Sequence, residues 1–255
     1  MPSGRKSRAQ RHAAPVVQAR RGRRASPRVL AIAVALVLCA TVAIVLGVVL
    51  GGHKSTAPTA PEVGSLENAL PGAADVDSLF KGIPQRGMQL GMASAPATIV
   101  EYMDLQCPYC KEVEAQVIPD VVSRYVRTGK AKLVLRPLAF TGQDSVGGRN
   151  ALIAAARQNR AFNFADILYV NQGIENTGWL DDEMVTAAAA SVPGLRVRIL
   201  LEARRSAGVS KLAAEYDRLA TVAHVRATPT FVVGKTTLIA PDETSLVAAV
   251  DAALR

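Results

Sequence analysis

Between Val29 and Leu50 the chain carries no charged side chain over twenty-two residues, VLAIAVALVLCATVAIVLGVVL. As a helix rising about 1.5 Å per residue, such a run spans about 33 Å, the thickness of a bilayer's hydrocarbon core. A cleavable export signal has a shorter apolar stretch, roughly 7 to 15 residues, with a small-residue cleavage site close behind. The segment 29–50 is therefore expected to be a retained transmembrane helix, and only the chain beyond Leu50 can build a water-soluble core. Cys39, inside the run, reads as an apolar membrane residue, because Leu38 occupies the place where a lipid-modified cysteine would be preceded by a small side chain.

The net charge of +9 has one source. Nine Lys or Arg precede Val29, no acid precedes Glu62, and the remaining twenty-one basic residues match the twenty-one acidic ones. A basic arm abutting a membrane-length apolar run fixes topology, so residues 1–28 are expected in the cytoplasm and everything after Leu50 outside it. The balanced remainder gives no footprint for nucleic acid.

Residues 51–76 are rich in Gly, Pro, Ala and Ser and poor in long apolar side chains, as a flexible tether would be. A folded domain is expected over 77–255. In it ATIVEYM, short, β-branched and aromatic, reads as a buried strand. Val113, Val117, Val121, Val122 and Tyr125 then recur at helical spacing, and AKLVLRPLAF reads as a second strand, so the unit favours a parallel crossover. An Ala-rich helical stretch fills about 144–224, with the chain's one tryptophan, Trp179, read as core, a place on a docking surface being the other reading. The chain closes with TPTFVVG, TTLIA and DETSLVAAVDAAL, read as strand, strand and helix.

Between the first strand and its helix stand Cys107, Pro108, Tyr109 and Cys110. With Cys107 capping the helix, Pro108 takes the first helical position, where a missing N–H costs nothing. Cys110, three residues on, lies under Cys107. The helix dipole and unpaired N–H groups favour a thiolate at Cys107, whose pKa in such a setting drops from about 8.5 to roughly 3.5 to 7.5. Three cysteines in all cannot build a four-thiolate zinc site within one chain, no His lies near the pair in sequence, and a disulfide closing so short a loop removes little unfolded-chain entropy. The pair reads as redox-active, with neither metal nor organic cofactor required.

TIVEYMDLQCPYC, followed far downstream by VRATPTFVVG, resembles the DsbA-like branch of the thioredoxin-fold thiol-disulfide oxidoreductases, including its membrane-anchored forms. The resemblance covers roughly residues 86–255. It implies an α/β thioredoxin fold interrupted by a helical insertion, which is 144–224 here. By that resemblance Cys107 is the exposed nucleophile and Cys110 its buried partner. Thr228 and Pro229 are the loop beside the disulfide that pairs with substrate backbone, with Pro229 cis. Glu101 matches a buried acid that moves a proton to or from the inner sulfur, although a strand residue facing solvent fits it equally. Tyr109 stands where the strongest oxidants carry His, which implies a milder oxidant. His224, near Thr228 in sequence, is read as incidental.

The implied activity is disulfide exchange on cysteine-containing exported proteins, chiefly oxidation, with an unidentified redox partner recycling the pair. Reduction or isomerisation would use the same residues, and a membrane-tethered binding module with a redox switch is the reading of another class.

Overall fold

The computed structural model describes Ala31 and residues 60–255. The expected transmembrane helix 29–50 lies, apart from Ala31, outside the described residues, as do the basic arm and residues 51–59 of the tether. Among the described residues no helix is long and apolar enough to cross a membrane.

In chain order the elements are α1 (Ala73–Phe80), β1 (Gln85–Arg86), β2 (Gln89–Leu90), β3 (Ala97–Met103), α2 (Pro108–Gln116), α3 (Ile118–Val121) continuing into a π-helical turn (Val122–Val126), and β4 (Ala131–Pro137). There follow α4 (Gln143–Ala156), α5 (Ala161–Val170), α6 (Asp182–Ala190), α7 (Val197–Ala203) and α8 (Ala207–Val222), then β5 (Thr230–Val233), β6 (Thr236–Ile239) and α9 (Glu243–Ala253). The sheet runs β1-β2-β4-β3-β5-β6. β3 and β4 are parallel, joined by the α2–α3 crossover, and the other neighbours are antiparallel. The helices α4–α8 separate the two halves of this sheet in sequence, as an insertion.

β3 sits at the centre of the sheet. Ile99, Glu101, Tyr102 and Met103 are fully or almost fully buried, as a strand covered by helices on both faces requires. The helix after the cysteines does not run straight to Gly129. It breaks at Val117, because Pro119 has no N–H to donate back along the helix and its ring crowds the preceding turn. The apolar spacing survives the break: Val113, Val117, Val121, Val122 and Tyr125 are all buried.

The second half of the expected tether is folded, which moves the start of the domain from Asp77 to about residue 60. Composition misled here because much of the hold on the stretch comes from backbone groups, beside a few apolar contacts from Leu70, Ala73 and Val76. Gly64 N–H donates to Leu195 O (2.8 Å), Ser65 N–H to Ala190 O (2.9 Å), and Leu70 N–H to Ser191 Oγ (2.8 Å). In return Val197 N–H donates to Glu62 O (3.0 Å). A β-carbon on Gly64 would lie 2.3 Å from Val192 O and 2.5 Å from Ala189 O, so only glycine permits the approach. α1 then packs on α5, with the Phe80 and Phe162 rings meeting edge-on at 5.9 Å.

Candidate active site

Register places the site. Tyr102 pairs with Thr230 and Glu101 with Phe231. The end of β3, which feeds the cysteine loop, therefore lies beside the start of β5, which Pro229 immediately precedes. The Thr228–Pro229 peptide bond is cis. As a thiol, Cys107 donates to the Thr228 carbonyl at 3.2 Å across 121 residues of sequence.

Cys107 is extended, with φ −70° and ψ 120°, as a residue before proline prefers, and it caps α2 with Pro108 at the first helical position. The arrangement puts the Cys107 sulfur at the N-terminus of the helix, where the unpaired N–H groups and the positive end of the dipole favour a thiolate. Hydrogen bonding from the Cys110 thiol is the largest influence on it; with Thr228 and the Cys110 and Tyr109 backbone adding to that, it outweighs burial and lowers the Cys107 pKa from 9.0 to about 6. Cys110 moves the other way. Burial first, then its hydrogen bond to Cys107 and the charges of Cys107 and Glu101, push its thiol well above the ordinary range. Both thiols are free. Cys107 is more enclosed than expected, only 6% exposed against 0% for Cys110, because the Thr228 loop lies over it. Tyr109 between them stands out into solvent.

Glu101 does not face solvent. It is fully buried, and burial raises its pKa to about 8; a hydrogen bond with Glu114 pulls the other way and the Asp166 charge adds to the rise.

The loop from β3 to Cys107 is held by groups that sequence reasoning missed. Buried Asp104 accepts from the N–H groups of Gln106 (2.9 Å), Phe140 (2.7 Å) and Thr141 (2.8 Å) and from the Ser145 hydroxyl (2.8 Å). Gln172, just past α5, donates to the carbonyls of Leu105 (2.8 Å) and Cys107 (3.1 Å), and the Tyr169 hydroxyl donates to Asp104 O (3.1 Å). The insertion thus grips the redox loop from behind. Glu114 was findable, lying one turn beyond Cys110 on the same helix face. No local signal marks Asp104, Asp166 or Gln172.

Two other residues singled out from the sequence fall outside this group. Trp179 packs half-buried against the core. His224 adopts a positive φ of 53° after α8 and lines a separate pocket with Phe140, Arg149 and Arg226. Among the described residues no cluster of His, Cys, Asp and Glu is arranged to hold a metal ion.

The thioredoxin family model matches residues 84–252. The probable disulfide bond formation protein D of Bacillus cereus is 31% identical over 98 residues, 38% of this chain and 45% of that protein. The chain thus spans about half the length of the curated relative it matches. Among solved structures, oxidised BdbD from Bacillus subtilis superimposes with a TM-score of 0.62 at 20% identity, covering 68% of this chain and 97% of that one. At that identity the likeness concerns the fold. A thioredoxin-like oxidoreductase from Silicibacter pomeroyi is 27% identical, with a TM-score of 0.55 over 69% of this chain and 96% of its own.

Proposed function

This chain belongs to the thioredoxin family, and from that premise we propose that it is a thiol-disulfide oxidoreductase that forms disulfides in exported proteins through Cys107 and Cys110. One observation carries the reading: Cys107 and Cys110 stand three residues apart at the mouth of α2, and the Cys107 sulfur lies 3.2 Å from the Thr228 carbonyl of the loop opposite. With Cys107 lowered to about 6, the reduced pair at neutral pH holds a stabilised thiolate. Stabilising the reduced form makes the disulfide a better oxidant. The name of the Bacillus cereus relative agrees with that direction.

In this reading a substrate thiolate attacks Cys107, the S–S bond breaks, and Cys110 leaves with the electron pair. The second thiolate of the substrate then attacks the substrate sulfur of the mixed disulfide and displaces Cys107. Two electrons pass from substrate to enzyme. Thr228 and Pro229 present backbone to the extended substrate beside the sulfurs, Pro108 and Tyr109 shape the helix mouth, and Glu101 supplies the proton that the Cys110 sulfur needs. The apolar run 29–50 anchors the domain outside the cytoplasm, where a separate redox partner reoxidises the pair.

Substitution separates the two sulfurs. Cys110→Ser should leave an attacking Cys107 that accumulates reducible adducts with exported proteins on a gel, and Cys107→Ser should lose both adducts and turnover of a reduced test protein. Full activity in Cys107→Ser would refute the assignment.

A further inference from the structure

Between the end of α8 and the cis peptide bond the chain turns a corner that is tied down on both sides. His224 N–H donates to Thr221 O (3.1 Å) and Val225 N–H to Ala220 O (2.9 Å), which closes the helix, and the Val225 side chain is buried. Beyond the corner the Thr230 hydroxyl donates to Ala227 O (2.6 Å). Arg226 is held between these anchors and is exposed. It stands two residues before Thr228, so it lies at most about 7 Å along the chain from the residue whose carbonyl meets Cys107.

The corner walls a pocket of about 440 Å³ that opens between α4 and α8. Phe140 and Val146 give the pocket apolar surface, and Arg149, Asp217, His224 and Arg226 give it polar groups. Its charges do not cancel. Arg149 Nη1 donates to both carboxylate oxygens of Asp217 (2.8 and 3.0 Å), so each neutralises the other. Arg226 forms no ion pair among the described residues. The uncompensated charge is therefore positive, and it sits on the wall that runs on into the Thr228–Pro229 loop.

We infer that this pocket takes an acidic side chain of the substrate, two positions from the cysteine that reacts, and that Arg226 selects it. The inference rests on the exchange reaction proposed above, in which substrate backbone lies along Thr228 and Pro229, and it names the sequence context which that reaction favours. In an extended segment residues two apart share a face and stand about 6.6 Å apart. With the reacting cysteine beside Thr228, the substrate residue two positions away comes level with Arg226. A glutamate there sets its carboxylate on the guanidinium and its methylenes beside Phe140. The contact acts on rate as well as on binding. A carboxylate near a cysteine disfavours its thiolate, which is the form that attacks. Paired with Arg226, that carboxylate no longer holds the attack back.

The test measures kcat/KM for oxidation of reduced dithiol peptides by the full chain at low salt. The peptides carry Glu, Gln or Lys two positions outside each cysteine, which covers both backbone directions. The wild type should prefer Glu to Gln by about tenfold and disfavour Lys, and the preference should shrink as salt is added. A small-molecule disulfide attacked by the same peptides gives their intrinsic order, in which Glu is slowest. Arg226→Gln should bring the Glu to Gln ratio down to that intrinsic order, Arg226→Glu should turn the preference toward Lys, and Arg226→Lys should keep most of the Glu preference. Each ratio is read within one variant, so a general loss of activity does not imitate a loss of selection. A wild type that follows the intrinsic order would overturn the inference, and so would a Glu preference that persists in Arg226→Gln. A wild-type chain that oxidises none of the peptides would instead overturn the redox reading itself, and the selection with it.

Discussion

Pro108 does two things to its neighbour Cys107. It holds Cys107 out of the helix and it starts the helix at whose N-terminus Cys107 stands. The reduced protein therefore has a measurable signature. Cys107 falls from 9.0 to about 6, so between those values the folded state binds fewer protons than the unfolded one. Stability of the reduced form should rise with pH across that window and be lost as pH falls through about 6. The gain is on the order of 2–4 kcal/mol. Comparing Tm of the reduced and oxidised forms from pH 5 to 9 checks it, and largely removes Glu101, whose raised pKa acts in the opposite sense in both. Thiolate absorbance at 240 nm should rise with a midpoint near pH 6 and vanish in Cys107→Ser. The residues behind this behaviour were legible because Cys107, Pro108 and Cys110 act through neighbours within one helical turn, and the Thr-Pro-Thr stretch marked the loop opposite. Asp104 was not: its four donors come from Gln106, Phe140, Thr141 and Ser145, three of them more than thirty residues away.

At the scale of elements, the stretch ahead of α1 is held by a glycine fitted against the carbonyls that end α6. Gly64→Ala should cost about 1–3 kcal/mol, seen as a lowered Tm and as faster proteolysis within residues 60–72, with the Cys107 thiolate unchanged. Gly147, inside α4 with nothing within 4 Å of a built β-carbon, is the contrast: Gly147→Ala should leave Tm unchanged or raise it. The strands β3 to β6 and the helical block were legible because period and turn residues mark them. β1 and β2, two residues each, are too short to show a period, and they exist because β4 offers them an edge. Residues 60–72 read as linker because much of their hold comes from peptide groups, which every sequence has, and little from long apolar side chains beyond Leu70.

For the molecule as a whole, the nine cationic residues before Val29 and the uncharged run after it predict that a reporter fused after Arg255 is active only outside the cytoplasm. Activity of that fusion in the cytoplasm would reverse the orientation. The fold also orders events in time. β3 pairs with β5 across the whole insertion, and the carbonyl over Cys107 belongs to a residue 121 positions later. Contacts so distant in sequence form late. A chain delivered from its N-terminus therefore shows both cysteines before the loop that covers them exists, and in that interval the Thr228 contribution is missing from the influences that lower Cys107. The cover over Cys107 arrives only with the last strands, so an unfinished chain carries its cysteine pair without the backbone beside which the proposed substrate lies.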